Sequence, residues 1–352
     1  MNRTIHFTLL LLCISLSLPS LLKAQNKNKH YVQTHLMTEE DGSRSRETVT
    51  YYDSFGLEYE TLEVGATPQG KDLQTPIGYD GFFRKTMEFL PRPAGNTDFY
   101  ADTNPYHYTV YENSELNRVR EAYGPGQTWQ ENGKAVKYAY LVNKASGVLS
   151  CSYYQVEELD RDIKLTRSGN YTPGELTITQ VTDEDGHITY TFSDSSGRLV
   201  LTRQMNGTVA HDTYIVYDDR GRKRIVLPPS AADALTAVES WLCSQSEPIQ
   251  LYGYIYRYDG RDRCIEKKLP GCAPIYYVYD KSDRMVLKRD GNDREVKRWQ
   301  SYQYDHLGRQ VIWGFLKSFN SHQYWITFCQ NKVLSVGYTG AKTNMENYGY
   351  SS

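Results

Sequence analysis

"TYIVYDDRGRKRIVL", Thr213 to Leu227, decides the fold of this chain. Its first arm is aromatic and β-branched, with Tyr214, Ile215, Val216 and Tyr217, and its second ends in Ile225, Val226 and Leu227. Such residues suit a pleated, half-buried surface. Between the arms stand Asp218, Asp219, Arg220 and Gly221. An Asp at the first turn position bonds the backbone ahead of it, and a Gly at the fourth takes the positive φ that closes a type I turn with a bulge. Tyr217 to Arg222 therefore reads as strand end, turn and strand start, with Asp218 and Gly221 as the turn formers.

The hexamer Y-D-x-x-G-R returns inside "YQYDHLGRQVIWG", Tyr302 to Gly314, where Asp305 and Gly308 take the same two places. Weaker copies are "YDGRDR" from Tyr258, "YDKSDR" from Tyr279, "YDSFGL" from Tyr52 and "YDGFFR" from Tyr79. Asp262 and Asp283 replace the Gly, and Asp tolerates left-handed geometry better than most residues. Phe83 does not, so the turn after Tyr79 is expected to differ. A second class of turn alternates with the first: Asp185-Gly186, Asn206-Gly207, Pro270-Gly271 and Asp290-Gly291. Turns about ten residues apart between apolar-aromatic arms describe an antiparallel meander, and their tandem order describes a repeat array.

One interruption reads as a helix. "PPSAADALTAVESWL" offers Ser230 as an N-cap and puts Leu235, Val238 and Leu242 on one face, which predicts one short helix near 230–242 packed across the sheet. A shorter helical turn is expected around Ser114 to Glu121. Pro91, Pro93 and Gly95 mark a loop, as do Gly124, Pro125 and Gly126.

Composition agrees with an all-β chain. The 352 residues include 31 Tyr against 10 Phe. Tyr suits strands that are apolar on one side and wetted on the other, so alternate tyrosines are expected to fill the sheet core while the others line its wetted face. Lys and Arg total 40 and Asp and Glu 42. That balance gives no basic stripe for phosphates, so no nucleic-acid partner is expected.

The N-terminus, "MNRTIHFTLLLLCISLSLPSLLKAQ", has a basic Arg3, an apolar run from Phe7 to Leu22 and Ala24 before Gln25. It reads as a signal peptide over residues 1–24. Ser15, Ser17, Pro19 and Ser20 interrupt the run, which argues against a membrane anchor. Cys13 follows four leucines, where a lipoprotein signal has a small residue, so lipid attachment is not expected. With no second span the product is expected to be exported, to the periplasm, cell surface or exterior. Cys151, Cys243, Cys264, Cys272 and Cys329 remain, an odd number at irregular spacing without C-x-x-C. That predicts at most one or two disulfides and no metal centre.

Nothing carries a catalytic signature. "GATPQGKD", Gly65 to Asp72, resembles a phosphate-binding loop, but Asp72 stands where Ser or Thr would hold magnesium, so a polar hairpin loop is expected. "DEDG", Asp183 to Gly186, opens like a calcium loop yet lacks the distal acid, and reads as a hairpin tip. Glu157, Glu158, Asp160 and Asp162 read as a solvated strand edge. The histidines pair with no Ser or Cys in a nucleophile motif, and H-E-x-x-H and G-x-S-x-G are absent. No catalytic residue, cofactor or metal is therefore assigned, and the residues expected to matter are Asp218, Gly221, Asp305, Gly308, Asn206 and Gly207, all as turn formers.

The Y-D-x-x-G-R series resembles the YD repeats of the rearrangement-hotspot (RHS) family of large exported or surface bacterial proteins. The resemblance extends to "YYDSFGLEYETLEVGATPQGKDLQTPIGYDGF", "SELNRVREAYGPGQTW" and "LPPSAADAL", and covers about His30 to Gly314. It implies hairpins coiling into an open, partial β-shell, divided as a less regular β region over 25–175, a YD-hairpin array over 176–310 and C-terminal strands or tail over 311–352. The family's self-cleaving core with a D-P-x-G motif and its C-terminal toxin have no counterpart here. The resemblance thus implies a non-enzymatic N-terminal shell segment for encapsulation or cell contact. Its expected partner is a second RHS polypeptide or C-terminal shell fragment. The alternatives are a free-standing surface module that binds glycan through rows of Tyr, and the remnant of a truncated gene.

Overall fold

The computed structural model describes residues 29–39, 44–95, 105–160 and 162–336. The leader read over residues 1–24, with Cys13, and the last part of the expected C-terminal tail, 337–352, lie outside the described residues. The chain divides into two compact units, Met1–Ala139 with Val181–Gly186, and Tyr140–Gln180 with His187–Ser352.

The first unit is a meander. Strands Ser45–Tyr52, Glu58–Glu63, Leu73–Tyr79 and Lys85–Phe89 pair antiparallel in chain order, with His30–Met37 against the first of them. Tyr106–Tyr111 follows on Lys85–Phe89, and Val119–Tyr123 on Tyr106–Tyr111. Among the described residues Val49, Tyr51 and Leu62 form a buried cluster there, with Tyr31, Tyr59 and Val64 packed against it. The loop Gly65 to Asp72 joins two of these strands and is closed from within: the Gly65 N–H donates to Asp72 Oδ1 at 2.8 Å and the Lys71 N–H to Thr67 Oγ1 at 2.7 Å. The helical turn expected near Ser114 is instead a hairpin tip leading into a strand. The Glu112 N–H bonds Arg118 O at 2.9 Å. Helix Gln127–Glu131 follows the Gly-Pro-Gly loop, where Gly126 has φ +121°.

The second unit carries the longer array. Its strands from Leu199–Asn206 to Gln310–Lys317 pair antiparallel in succession. Beside them stands a three-stranded sheet of Ser152–Glu158, Ile163–Asn170 and Ser240–Leu242. Its core side supplies Tyr154, Ile163 and Leu165 to a cluster with Phe192, Leu201, Ile225 and Leu227. A second cluster gathers Val278, Leu287, Trp299, Leu316 and Trp325, the last from helix His322–Cys329.

Several expectations are corrected. The helix predicted near 230–242 covers only Pro229–Ala234; Ser230 lies inside it rather than capping it, Leu235 ends it, and Val238 is exposed. Leu242 belongs to strand Ser240–Leu242, where it pairs with Lys164. Tertiary pairing has overridden a weak helical periodicity. Asp290-Gly291 is not a hairpin turn: Asp290 caps helix Gly291–Glu295 by accepting the Asp293 N–H at 2.9 Å. Helices Glu247–Tyr252 and His322–Cys329 carried no sequence expectation. Asn206 sits in the ladder opposite Val209, so the two-residue loop is Gly207-Thr208, with Gly207 at φ +59°, the place that a type II′ turn reserves for Gly. Pro270-Gly271 does join two antiparallel strands, with Gly271 at φ +62°.

Candidate functional site

The repeated feature is the turn, and it is built the same way each time. The Asp218 N–H donates to Arg222 O at 3.0 Å, and the Gly221 N–H to Asp218 O at 2.8 Å. Asp218 Oδ1 accepts the backbone N–H groups of Arg220 and Arg222, and Oδ2 accepts Arg222 Nε at 2.8 Å. Asp305 does the same with Leu307 and Arg309, and Gly308 takes φ +81°. The bulge sits on the strand that leaves the turn: Val216 and Tyr217 pair with Ile225 and Lys223, leaving Arg224 as the extra residue, and Gln303 and Tyr304 pair with Ile312 and Gln310, leaving Val311.

The turn after Tyr79 does not differ, contrary to expectation. Phe83 adopts φ +61°, and Asp80 collects the same backbone bonds from Phe82 and Arg84 and the same Arg84 Nε bond. A bulky residue in this region is strained by about 1–2 kcal/mol. The hydrogen bonds around Asp80 hold it there, and its ring meets Phe55 of the preceding turn at 5.1 Å.

At Asp262 and Asp283 the substitution adds an ion pair. Asp262 Oδ1 receives Arg222 Nη1 at 2.7 Å, and Asp283 Oδ1 receives Arg263 Nη1 at 2.9 Å. Arg261 adds a second bond to Asp283, also at 2.9 Å. Where Gly is kept it takes the positive φ that other residues adopt only under strain, although at Gly308 an added Cβ would meet nothing within 4 Å. A Cβ on Gly221, at φ +76°, would stand 3.0 Å from Arg198 Nη1. Gly221→Val is expected to cost about 2 kcal/mol, read as a lower urea midpoint; an unchanged midpoint would contradict this turn.

Tyr and Arg flank the turn but do another task, which the sequence reading missed. Each Arg stacks on the Tyr of the next hairpin. Arg222 lies 5.2 Å from the Tyr258 ring centroid, Arg263 5.1 Å from Tyr279 and Arg284 5.1 Å from Tyr304. In return the later Tyr hydroxyl donates to the carbonyl just after the earlier Arg: Tyr258 to Lys223 O, Tyr279 to Cys264 O and Tyr304 to Met285 O, at 2.8–3.0 Å. The Arg then donates Nη1 to the carbonyl of the later Asp, 2.8 Å for Arg263 to Asp280 and 3.3 Å for Arg284 to Asp305. The first unit repeats the device with Arg84, Tyr111 and Glu112 O. Register makes it possible. Continuing the pairing Glu266↔Tyr276 by three residues sets Tyr279 opposite Arg263. Each staple thus joins cation–π stacking and two hydrogen bonds across neighbouring hairpins.

Few tyrosines are core residues, against expectation: of those described, Tyr51, Tyr154, Tyr190 and Tyr214 are fully buried. The staple tyrosines are half-buried at the sheet ends. The acids at 157–162 are also more engaged than a solvated edge. Glu158 bonds Arg224 and Arg257, and Asp162 accepts the Ser244 hydroxyl at 2.6 Å. At the "DEDG" tip the Gly186 N–H donates to Asp183 O at 3.1 Å. The five cysteines are free thiols, with Cys151, Cys243 and Cys329 buried; burial pushes the Cys243 thiol up to about 12.

The turn carboxylates set an acid limit. Burial pushes Asp80, Asp194, Asp218, Asp259 and Asp280 up, and hydrogen bonds from the Arg four residues on outweigh it, leaving each below the usual carboxylate range. For Asp305 the Arg309 N–H leads the downward shift. A folded pKa below the unfolded one gives stability that is present above about pH 4 and lost as pH falls through the folded values. The urea midpoint is expected to fall steeply below about pH 4, and less steeply in Asp218→Asn/Asp259→Asn. A midpoint that holds down to about pH 2 would contradict it.

Residues 24–142 match the model of a domain of unknown function, DUF6443. No curated protein is significantly similar to the chain. Among solved structures, 91% of the chain aligns with the crystal structure of TcdB2-TccC3-TEV at TM-score 0.53 and 12% identity, covering 15% of that chain. TcdB2-TccC3 without its hypervariable C-terminal region aligns over 89% of the chain at TM-score 0.51 and 13% identity, covering 15% of that chain. TcdB2-TccC3 itself aligns over 88% at TM-score 0.51 and 11% identity, covering 16%. The fold is therefore mostly antiparallel sheet of the kind found in TcdB2-TccC3, and the chain spans about one sixth or less of the length of those chains.

Proposed function

We propose that the chain is an exported, non-enzymatic structural protein that supplies a segment of an RHS-type β-shell and works by strand pairing and enclosure. The observation that carries this reading is the staple. Its Tyr, Asp and Arg donors and acceptors serve the neighbouring hairpin, so the repeated residues are committed to extending a sheet. The fold likeness to Tc toxin proteins supports the same role. Its partner would be a second RHS polypeptide or a C-terminal shell fragment.

Electron microscopy of the chain purified from the exported fraction of its native host tests the reading. The expected particle is a hollow protein body holding this chain and a second polypeptide rich in Tyr-Asp turns. A lone, soluble monomer overturns it. A second reading, adhesion through carbohydrate, is favoured by one feature, a cavity of about 440 Å³ lined by Tyr153, Tyr171, Asp194, Arg198 and Tyr217. Glycan-array binding lost in Tyr171→Ala would raise that reading above the shell; no binding on the array would remove it.

A further inference from the structure

The staple series has one unfinished member. Arg309 bonds its own Asp305 through Nε at 2.7 Å, as the Arg of each earlier copy that has one does, but its side chain is 72% exposed, against 14% for Arg284 in the copy before. Among the described residues no tyrosine lies under its guanidinium and no carbonyl takes its Nη1. The strand that follows, Gln310–Lys317, pairs on one side with Arg298–Tyr304 and has no strand on its other side among the described residues. Its outward row, Val311, Trp313 and Phe315, is exposed. Open ladder groups beside exposed aromatic side chains form a template for strand addition.

We propose that this edge is a docking site for a strand ending in Tyr-Asp, carried by a second polypeptide. This rests on the shell reading above and names the partner's chemistry. The incoming strand runs antiparallel to Gln310–Lys317, with its Tyr opposite Arg309. That ring takes the guanidinium, its hydroxyl donates to Gln310 O, and the carbonyl of its Asp accepts Arg309 Nη1. Each contact repeats one already made at Tyr258, Tyr279 and Tyr304. The body of the strand covers the flanks of Trp313 and Phe315. Residues 318–352 contain no Tyr-Asp pair, so that stretch does not supply the strand. Nor does a second copy offer one at its first strand, His30–Met37, which runs into Thr38.

The test uses the full chain and a synthetic peptide with the sequence of residues 275–289, a hairpin that contains Tyr279-Asp280. Hydrogen exchange is followed at Gln310–Lys317. Saturable slowing of those amides is expected, with affinity falling roughly tenfold or more for Arg309→Ala in the chain or for Tyr279→Ala in the peptide. Because Arg309 is exposed, its variant is checked to keep the parent urea midpoint, and Arg309→Lys, which keeps the charge without the planar fork, is expected to bind like Arg309→Ala. Unchanged exchange at saturating peptide, or equal affinity for Arg309→Ala, overturns the proposal. So does protection in the chain alone with a dimer on sedimentation, which gives the edge to a second copy. A hollow particle by microscopy with no peptide effect keeps the shell reading and removes this docking edge alone.

Discussion

Asp280→Ala is expected to destabilise the protein by about 3–5 kcal/mol, the largest loss from any single turn. Asp280 is the most buried of the turn carboxylates, its side chain 0% exposed. Oδ1 accepts the N–H groups of Ser282 and Arg284, and Oδ2 accepts Arg284 Nε at 2.9 Å and Nη2 at 2.5 Å. The chain returns over the turn and adds the Leu334 N–H at 3.3 Å. Alanine leaves three backbone donors without an acceptor. It also leaves Arg284 charged, only 14% exposed and without its carboxylate. Removing one partner of a buried pair costs far more than the pair is worth, because the remaining charge stays desolvated. Urea denaturation of Asp280→Ala, Asp280→Asn and Asp305→Ala separates the effects. Asn keeps acceptors for the N–H groups and should fall between parent and Ala. Asp305→Ala should lose less, since Arg309 is solvated. A loss under about 1 kcal/mol for Asp280→Ala would show that the network is redundant.

Arg224→Ala comes next, at about 3 kcal/mol. Arg224 is 2% exposed in the core side of strand Lys223–Leu227. Its Nε donates to Tyr256 O at 3.0 Å, its Nη1 lies 3.3 Å from Asp218 Oδ2, and its Nη2 bonds Glu158. Asp218 keeps Arg222 and Glu158 keeps Arg257, so neither carboxylate is stranded. The loss then comes mainly from the emptied volume and the orphaned Tyr256 carbonyl. Arg224→Met, which refills most of that volume, is expected to recover all but about 1 kcal/mol. If Met is as damaging as Ala, charge rather than packing holds this position.

The turns were legible because their physics is local. Asp218 and Gly221 satisfy their partners within four residues, and so the hexamer announces itself. What Tyr217 and Arg222 do was not legible, because their partners lie one hairpin away; Arg222 reaches Asp259 O, 37 residues on. One hint was present: a turn of this type needs an Asp and a Gly, yet the copies also keep Tyr and Arg. Phe83 was misread because local φ preference was weighed without the bonds from Asp80 that override it. The helix near 230–242 failed for a similar reason. Leu242 and Trp241 find a ladder on Ile163–Asn170, some 75 positions earlier, which no window of sequence displays. Short helices such as Gly291–Glu295 lie below the length at which periodicity speaks.

The staple also has a direction. The earlier hairpin supplies the guanidinium and the later one supplies the ring, so a newly made hairpin holds out an arginine for a tyrosine that has not yet left the ribosome. Hairpins close quickly from local contacts, and each then needs only its immediate successor to lock. A chain with this grammar folds vectorially, from its first hairpin towards its last, and every locked step resists sliding back. Making the chain and building the sheet become one process, with the growing end always the reactive end.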